Sequence, residues 1–170
     1  MKEIYFAGGC FWGTEHYLKQ IRGVVTTEVG YANGNGENPT YEEVYTDATG
    51  FVECVKVVYD PAILPLEKVV ELYFHSIDPL SLNQQGNDIG TRYRPGIYYD
   101  SESDRETIEK VYRTMESKVG ATLAVELEPL HNFYIAEEYH QDYLDKNPAG
   151  YCHLPYYLFE YARIANKLTC

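Results

Sequence analysis

Cys10 is placed where a cysteine could act as a nucleophile. It follows the strand-like run Ile4–Ala7 and the pair Gly8-Gly9, and it precedes a helical pattern. The N-terminus of a helix offers unpaired N–H groups and the positive end of the helix dipole, both of which favour a thiolate over a thiol. We therefore expect Cys10 to be a reactive residue with a lowered pKa, rather than a cysteine that only packs in the core.

Two aromatic residues, Phe11 and Trp12, come directly after this cysteine. They place apolar surface beside the sulfur atom. Such a surface suits a substrate that carries a methyl or thioether group better than a charged substrate.

Glu53 is a candidate general acid. It lies in the strand-like run 51–59, in which residues at odd positions share one face. The other residues on that face are apolar or aromatic: Phe51, Val55, Val57 and Tyr59. Burial among them would raise the pKa of the carboxyl, as an acid that works near neutral pH requires. The alternative, which the pattern leaves open, is that Glu53 lies at the exposed start of the strand and is solvated.

Composition and charge exclude several classes of function. The chain has 170 residues, of which 45% are hydrophobic and 24% charged, a mixture typical of one soluble globular domain over 1–170. The net charge of −12 disfavours nucleic-acid binding, which depends on clustered Lys and Arg. The first residues lack the apolar run of a signal peptide, so we expect a cytoplasmic protein without membrane association.

The four cysteines, at positions 10, 54, 152 and 170, form no C-x-x-C pair and lack zinc-ligand spacing. In a reducing compartment this pattern indicates free thiols, one or more of them catalytic, rather than a disulfide framework. Cys54 should point away from Glu53 on the opposite strand face, and we interpret it as a packing residue.

Helices and strands are intermixed along the chain, which favours an α+β fold, a two-layer α/β sandwich with helices on one side of a mixed sheet. No dinucleotide- or phosphate-binding loop is found. The polar run 78–94 is longer than an ordinary connection, and we expect it to be functional. The predicted strands are 4–7, 24–31, 51–59, 96–99 and 122–128, and the predicted helices are 14–22, 65–77, 101–119, 136–146 and 154–168.

The run Gly9–Gly13 resembles the active-site signature of the peptide methionine sulfoxide reductase A family. Seven further segments in the family's order strengthen the resemblance, which extends from about Tyr5 to Cys152. They are Gly30–Tyr31, Asn38–Val44, Tyr59–Pro61, Gln85–Thr91, Tyr93–Arg94, Ala136–Gln141 and Gly150–Cys152. The resemblance implies a ferredoxin-like α/β sandwich with an irregular C-terminal segment.

The resemblance also implies the reaction, which is reduction of the S epimer of methionine sulfoxide, peptide-bound or free, in repair of oxidative damage. Cys10 would attack the sulfoxide sulfur and become a sulfenic acid. Glu53 would protonate the departing oxygen, with Tyr41 and Tyr93 as hydroxyl donors. Cys152 would form a disulfide with Cys10, which thioredoxin or a similar dithiol would reduce, and no cofactor or metal is required.

The same resemblance implies substrate-binding roles. Phe11 and Trp12 would hold the S-methyl group, and Asp88 would help to hold the substrate backbone. His140 would have a supporting role. For Asp88 an Asx turn, and for His140 a structural hydrogen bond, are the ordinary alternatives.

The chain departs from the family's pattern at two places, and two rival functions remain possible for it. The segment 51–54 differs from the family's commoner His-Ala-Glu-Val but keeps the Glu, and Cys170 is either a third redox thiol or the end of a chain that continues into another module. A cysteine hydrolase or transferase would use His131 or His140 as its base and would form an acyl-enzyme. A thiol redox module without catalysis would only bind exposed methionines.

Overall fold

Two β-sheets and six α-helices make up the part of the chain that the computed structural model describes, residues 1–167. Cys170 lies outside the described residues. The strands are β1 (Lys2–Ala7), β2 (Val24–Ala32), β3 (Val52–Tyr59), β4 (Gln84–Gln85), β5 (Asp88–Ile89), β6 (Gly96–Tyr99), β7 (Glu126–Pro129) and β8 (Phe133–Ile135). The helices are α1 (Phe11–Lys19), α2 (Tyr41–Tyr45), α3 (Leu66–Phe74), α4 (Glu102–Val119), α5 (Tyr143–Lys146) and α6 (Tyr156–Ala165).

The main sheet has six strands in the order β7-β6-β1-β3-β2-β8. Neighbouring strands are antiparallel except for β6 and β7, which are parallel, so the sheet is mixed. Pairing of Tyr31 with Glu53 places the candidate acid near the end of the β2–β3 ladder, where β3 begins. The strands β4 and β5 form a separate two-stranded ribbon within the run 78–94, and Gly86 between them has a φ of 59°.

One face of the main sheet and the helices α1, α3, α4 and α6 enclose the hydrophobic core. Phe6 of β1 stacks on Tyr73 of α3 with ring centroids 4.7 Å apart, and the Tyr73 hydroxyl donates a hydrogen bond to the Ala7 carbonyl at 2.6 Å. The opposite face carries a smaller cluster that includes Cys54, which is fully buried beside Tyr98. The predicted two-layer α/β sandwich is confirmed, and Cys54 packs on the face away from Glu53.

The predicted helix over 136–146 is wrong. The segment contains a 3-10 turn over Glu138–His140 and the short α5, and between them Asp142 adopts a left-handed conformation with a φ of 52°. The Gln141 side chain explains the break, because its amide accepts from the Val29 N–H and donates to the Val29 carbonyl, both at 2.9 Å. This side chain continues the pairing of β8 along the edge of β2.

Other differences concern the bounds of elements. The first helix begins at Phe11 rather than at 14, so that Cys10 is its N-cap residue. Both α2 and β8 are absent from the prediction, and β7 begins at Glu126 rather than at 122. In residues 1–167, no helix combines the length and the apolar character needed to cross a membrane.

Candidate active site

Cys10 lies at the junction of β1 and α1, where the chain turns sharply. Gly9 has a φ of 78°, a left-handed conformation that glycine adopts without strain, and its N–H donates to the Tyr93 carbonyl at 3.1 Å. The turn leaves Cys10 extended, with φ −62° and ψ 127°, and 7% exposed. The thiol is therefore held at the N-terminus of α1, as the sequence predicts.

Two carboxyl groups accept hydrogen bonds from the first N–H groups of this helix. The Cys10 N–H donates to Asp88 Oδ2 at 3.0 Å, and the Phe11 N–H donates to Glu53 Oε1 at 3.1 Å. Unpaired N–H groups at a helix N-terminus are natural partners for anions. Here these two donors bind the carboxylates instead of the sulfur.

This arrangement overturns the expectation that Cys10 has a lowered pKa. Burial is the main cause that raises the pKa of the Cys10 thiol well above its ordinary value, and the charge of Glu53 is the second. The backbone N–H of Trp12 only partly opposes them. Desolvation and two neighbouring carboxylates outweigh the helix dipole. In the resting protein Cys10 is a thiol.

Glu53 is 1% exposed, so the alternative of a solvated residue at the strand start is wrong. Burial raises its pKa to about 8, against the opposing effects of the Phe11 N–H and the Arg92 guanidinium. Arg92 is itself held by Asp47, whose Oδ2 lies 2.5 Å from the guanidinium. At neutral pH Glu53 is mostly protonated, which is the state in which it can give a proton to a substrate.

Tyr41 and Tyr93 face the same site from α2 and from the turn after β5. Burial and then the charge of Glu53 raise the pKa of each phenol, that of Tyr93 to about 12. Both hydroxyls therefore stay protonated and remain hydrogen-bond donors. Glu137 positions Tyr41, because its Oε2 accepts from the Tyr41 N–H at 3.0 Å while its Oε1 accepts from the Tyr31 hydroxyl at 2.8 Å.

Phe11, Trp12, His140 and Tyr143 form an aromatic cluster beside Cys10. Trp12 stacks on Tyr143 with ring centroids 3.7 Å apart and donates from Nε1 to His140 Nδ1 at 3.0 Å. His140 also contacts Phe11, with centroids 5.1 Å apart, and is 1% exposed. The hydrogen bond orients Trp12, so the ordinary structural interpretation of His140 accounts for its contacts.

Asp88 lies in the site and not in a solvent-exposed loop turn. Besides the Cys10 N–H, its carboxylate accepts from the Tyr151 hydroxyl, with 2.6 Å between that oxygen and Oδ1. Asp88 thereby fastens the C-terminal segment that contains Cys152 to the N-terminus of α1.

Cys152 lies against the first turn of α1 at Gly13. A Cβ at Gly13 would stand 2.9 Å from Cys152 Sγ, so only glycine leaves room for this thiol. A cavity of about 410 Å³ borders Cys152 on the side of Leu154 and Phe159 rather than the aromatic cluster. The contacts at Cys10 identify the candidate site better than this cavity does, because the acid, the thiol and the aromatic rings converge there.

Known proteins identify the chain's family. The family model described as peptide methionine sulfoxide reductase matches residues 2–169. The chain belongs to this family. It is 54% identical over 155 residues to the peptide methionine sulfoxide reductase MsrA of Clostridium acetobutylicum, which covers 91% of this chain and 96% of that protein.

Solved structures of reductases agree with the family. The reduced form of Mxr1 from Saccharomyces cerevisiae has a TM-score of 0.85 and 41% identity, with 89% of this chain and 88% of that chain covered. Mxr1 in complex with Trx2 has a TM-score of 0.61 and 30% identity, with 84% of each chain covered.

Neither of the two histidines that the rival hydrolase would use is placed to act as a base for Cys10 in this reductase. His140 Nδ1 is occupied by Trp12, and His131 is exposed. A different histidine, His153, lies against Gly9 and Gly13 at the start of α1, and the sequence does not predict its place in the site. Its only signal in the sequence is that it follows Cys152.

Proposed function

We propose that the protein reduces the S epimer of methionine sulfoxide, in peptides or free, to methionine and so repairs oxidative damage in the cytoplasm, with the chain as a single catalytic domain. Family membership supports the reaction type. The observation that carries the proposal is the buried, protonated carboxyl of Glu53, bound to the N–H that follows Cys10 and adjacent to the aromatic cluster.

The first step transfers the sulfoxide oxygen to Cys10. The Cys10 sulfur attacks the sulfoxide sulfur, Glu53 gives its proton to the oxygen, and the thiol proton of Cys10 restores the Glu53 carboxyl. The attack forms a transient bond between the two sulfur atoms. This bond and the S–O bond of the substrate then break as an S–O bond to Cys10 forms, so the products are methionine and Cys10 sulfenic acid. The sulfoxide oxygen is a poor leaving group unless it is protonated, so the proposed step requires an acid in the site.

The neighbouring residues select and orient the substrate. The phenols of Tyr41 and Tyr93 donate hydrogen bonds to the sulfoxide oxygen as negative charge develops on it. Phe11 and Trp12 contact the S-methyl group, since apolar surface lies next to the thiol. Asp88 helps to hold the backbone of the substrate, and His140 keeps Trp12 in place.

The second step removes the sulfenic acid. Cys152 attacks Cys10, and a disulfide and one water molecule form. Thioredoxin or a similar dithiol then reduces the Cys10–Cys152 disulfide, and the complex of the relative Mxr1 with Trx2 supports this class of reductant. Because the electrons come from thiols, the cycle uses no metal, flavin or nicotinamide.

Stereospecific turnover tests the proposal. With dithiothreitol as reductant, the protein should consume the S epimer of a methionine sulfoxide substrate, and Cys10→Ser should abolish the activity. Consumption of the R epimer alone would exclude the proposal, and binding without turnover would favour a binding module.

The covalent intermediate separates the reductase from the hydrolase. After one turnover, the Cys152→Ser variant should carry one added oxygen atom on Cys10, as measured by peptide mass. A stable acyl adduct in place of that oxygen would instead indicate a cysteine hydrolase.

A further inference from the structure

We infer that His153 is the acid–base residue of the resolving step, in which Cys152 attacks the sulfenic acid of Cys10. This inference rests on the proposed function. It concerns a residue that the first step does not use.

The imidazole of His153 is seated in a slot that two glycines leave open. A Cβ at Gly9 would stand 2.7 Å from His153 Nε2, and a Cβ at Gly13 would stand 3.0 Å from His153 Nδ1. Those glycines lie directly before Cys10 and three residues after it. The ring therefore lies across the start of α1, next to the residue that becomes the sulfenic acid.

The ring also lies next to the attacking thiol. His153 Nδ1 and Cys152 Sγ are within 3.0 Å and 2.9 Å of the same point, the position that a Gly13 Cβ would occupy. His153 Nδ1 and Cys152 Sγ are therefore at most about 6 Å apart, and Asp88 Oδ2 lies 3.6 Å from the same nitrogen.

Neither ring nitrogen makes a well-formed hydrogen bond to the described residues, although the side chain is only 3% exposed. Burial lowers the pKa of the imidazole, against the opposing effects of Asp88 and the Gly8 backbone. A buried polar group without a partner costs free energy, and such groups are kept mainly where they have a function. One nitrogen of a neutral imidazole accepts a proton and the other donates one. The two nitrogens of His153 are therefore available to accept and to donate a proton.

The chemistry of the resolving step needs such a carrier. The attacking species is a thiolate, yet burial raises the pKa of the Cys152 thiol. The group that leaves Cys10 is a hydroxyl, which departs as water only if it receives a proton. In the step we assign, His153 Nδ1 takes the Cys152 proton, the S–S bond forms as the Cys10 S–O bond breaks, and the imidazolium protonates the departing oxygen. Asp88 stabilises the imidazolium, and one thiol and one sulfenic acid become one disulfide and one water.

A single-turnover experiment on His153→Asn tests the assignment. Asn keeps a polar atom near the position of Nδ1 but cannot take up and release a proton. The variant should release one methionine per enzyme at a rate close to that of the wild type. Disulfide formation should slow by about 100-fold or more. The Cys10 sulfenic acid should then accumulate, detectable with a dione reagent and by peptide mass. The control, His131→Asn, removes an exposed histidine and should leave both rates unchanged.

The pH profile distinguishes proton transfer from mere positioning. In the wild type, the rate of disulfide formation should rise with pH and level off as His153 loses its proton, whereas in His153→Asn it should keep rising into the alkaline range as Cys152 ionises unassisted. Asp88, Cys152 and Cys10, the titratable groups around the imidazole, remain in both proteins. Added imidazole should restore part of the rate to His153→Ala.

Three results would overturn the inference. They are disulfide formation by His153→Asn at the wild-type rate, an unchanged levelling of its pH profile, and equal slowing of methionine release. Prolonged exposure to excess hydrogen peroxide makes the same sulfenic acid on Cys10, slowly and without methionine sulfoxide. Under these conditions the wild type should pass directly to the disulfide, whereas His153→Asn should accumulate the sulfenic acid, so the role of His153 can be judged even if the protein reduces no methionine sulfoxide.

Discussion

Replacement of Glu53 by Gln should lower the activity strongly and yet stabilise the protein at neutral and alkaline pH. Gln keeps the size of the side chain and an oxygen that accepts from the Phe11 N–H, which lies 3.1 Å from the carboxylate. It has no proton to give to a substrate oxygen, so we expect kcat/KM for methionine sulfoxide to fall by about 100-fold or more.

The gain in stability follows from the raised pKa of Glu53, which moves from 4.5 to about 8 on folding because the carboxyl is buried. Between these values the folded protein binds a proton that the unfolded chain releases, so the free energy of unfolding falls as pH rises. Gln does not titrate and escapes this loss. Relative to the difference at pH 5, the free energy of unfolding of Glu53→Gln should exceed that of the wild type by about 2.5 kcal/mol more at pH 7 and about 4 kcal/mol more at pH 9.

Urea titrations of both proteins at pH 5, 7 and 9, with a phosphine present to keep the thiols reduced, measure this difference. Other titrating groups remain in both proteins and their contributions cancel. Glu67→Gln, which removes an exposed carboxyl from α3, controls for the loss of a charge. Parallel stability profiles of the wild type and Glu53→Gln from pH 5 to pH 9 would show that Glu53 titrates as an ordinary carboxyl, and the assignment of the acid would fail.

Two further substitutions probe the support of the site. Gly13→Ala places a Cβ 2.9 Å from Cys152 Sγ and should slow formation of the disulfide by about 100-fold in a thiol count, without slowing methionine release; a wild-type thiol count would contradict this. Glu137→Gln leaves one oxygen for the two donors Tyr31 and Tyr41 and should cost about 1–2 kcal/mol in urea titrations. Although burial opposes them, these hydrogen bonds lower the pKa of Glu137. The stabilisation by its carboxylate is therefore fully present above pH 4.5 and is lost as pH falls through the lowered pKa. A loss of stability that begins above pH 4.5 would refute the predicted direction of this pKa shift.

The features that the sequence predicts correctly depend on patterns within a few residues. Alternation along β3 predicts the face on which Glu53 lies, and the glycines before Cys10 predict a turn from strand to helix. A period of two residues is a property of the strand itself. Such features survive in the folded protein because the core requires the same apolar face that the pattern shows.

The features that the sequence reasoning misses depend on partners far apart in the chain. The pKa of Cys10 is raised by burial and then by the charge of Glu53. The first helix N–H groups bind Asp88, 78 residues from Cys10, and Glu53, 42 residues from Phe11. The helix predicted over 136–146 is broken because Gln141 binds Val29, 112 residues away. Helical propensity and the helix dipole are local quantities, and long-range hydrogen bonds override both.

In the proposed mechanism, the two carboxyl groups at the start of α1 favour reaction of Cys10 with a sulfoxide over reaction with other oxidants. Reaction of a cysteine with peroxide follows its thiolate character, and burial together with Glu53 keeps Cys10 a thiol. A sulfoxide needs something different, because its oxygen departs only with a proton, and Glu53 holds that proton at neutral pH. A helix N-terminus that bound a thiolate would favour general oxidation of Cys10. The same N-terminus with its donors bound to Asp88 and Glu53 makes the reaction depend on a substrate that brings its oxygen to the acid.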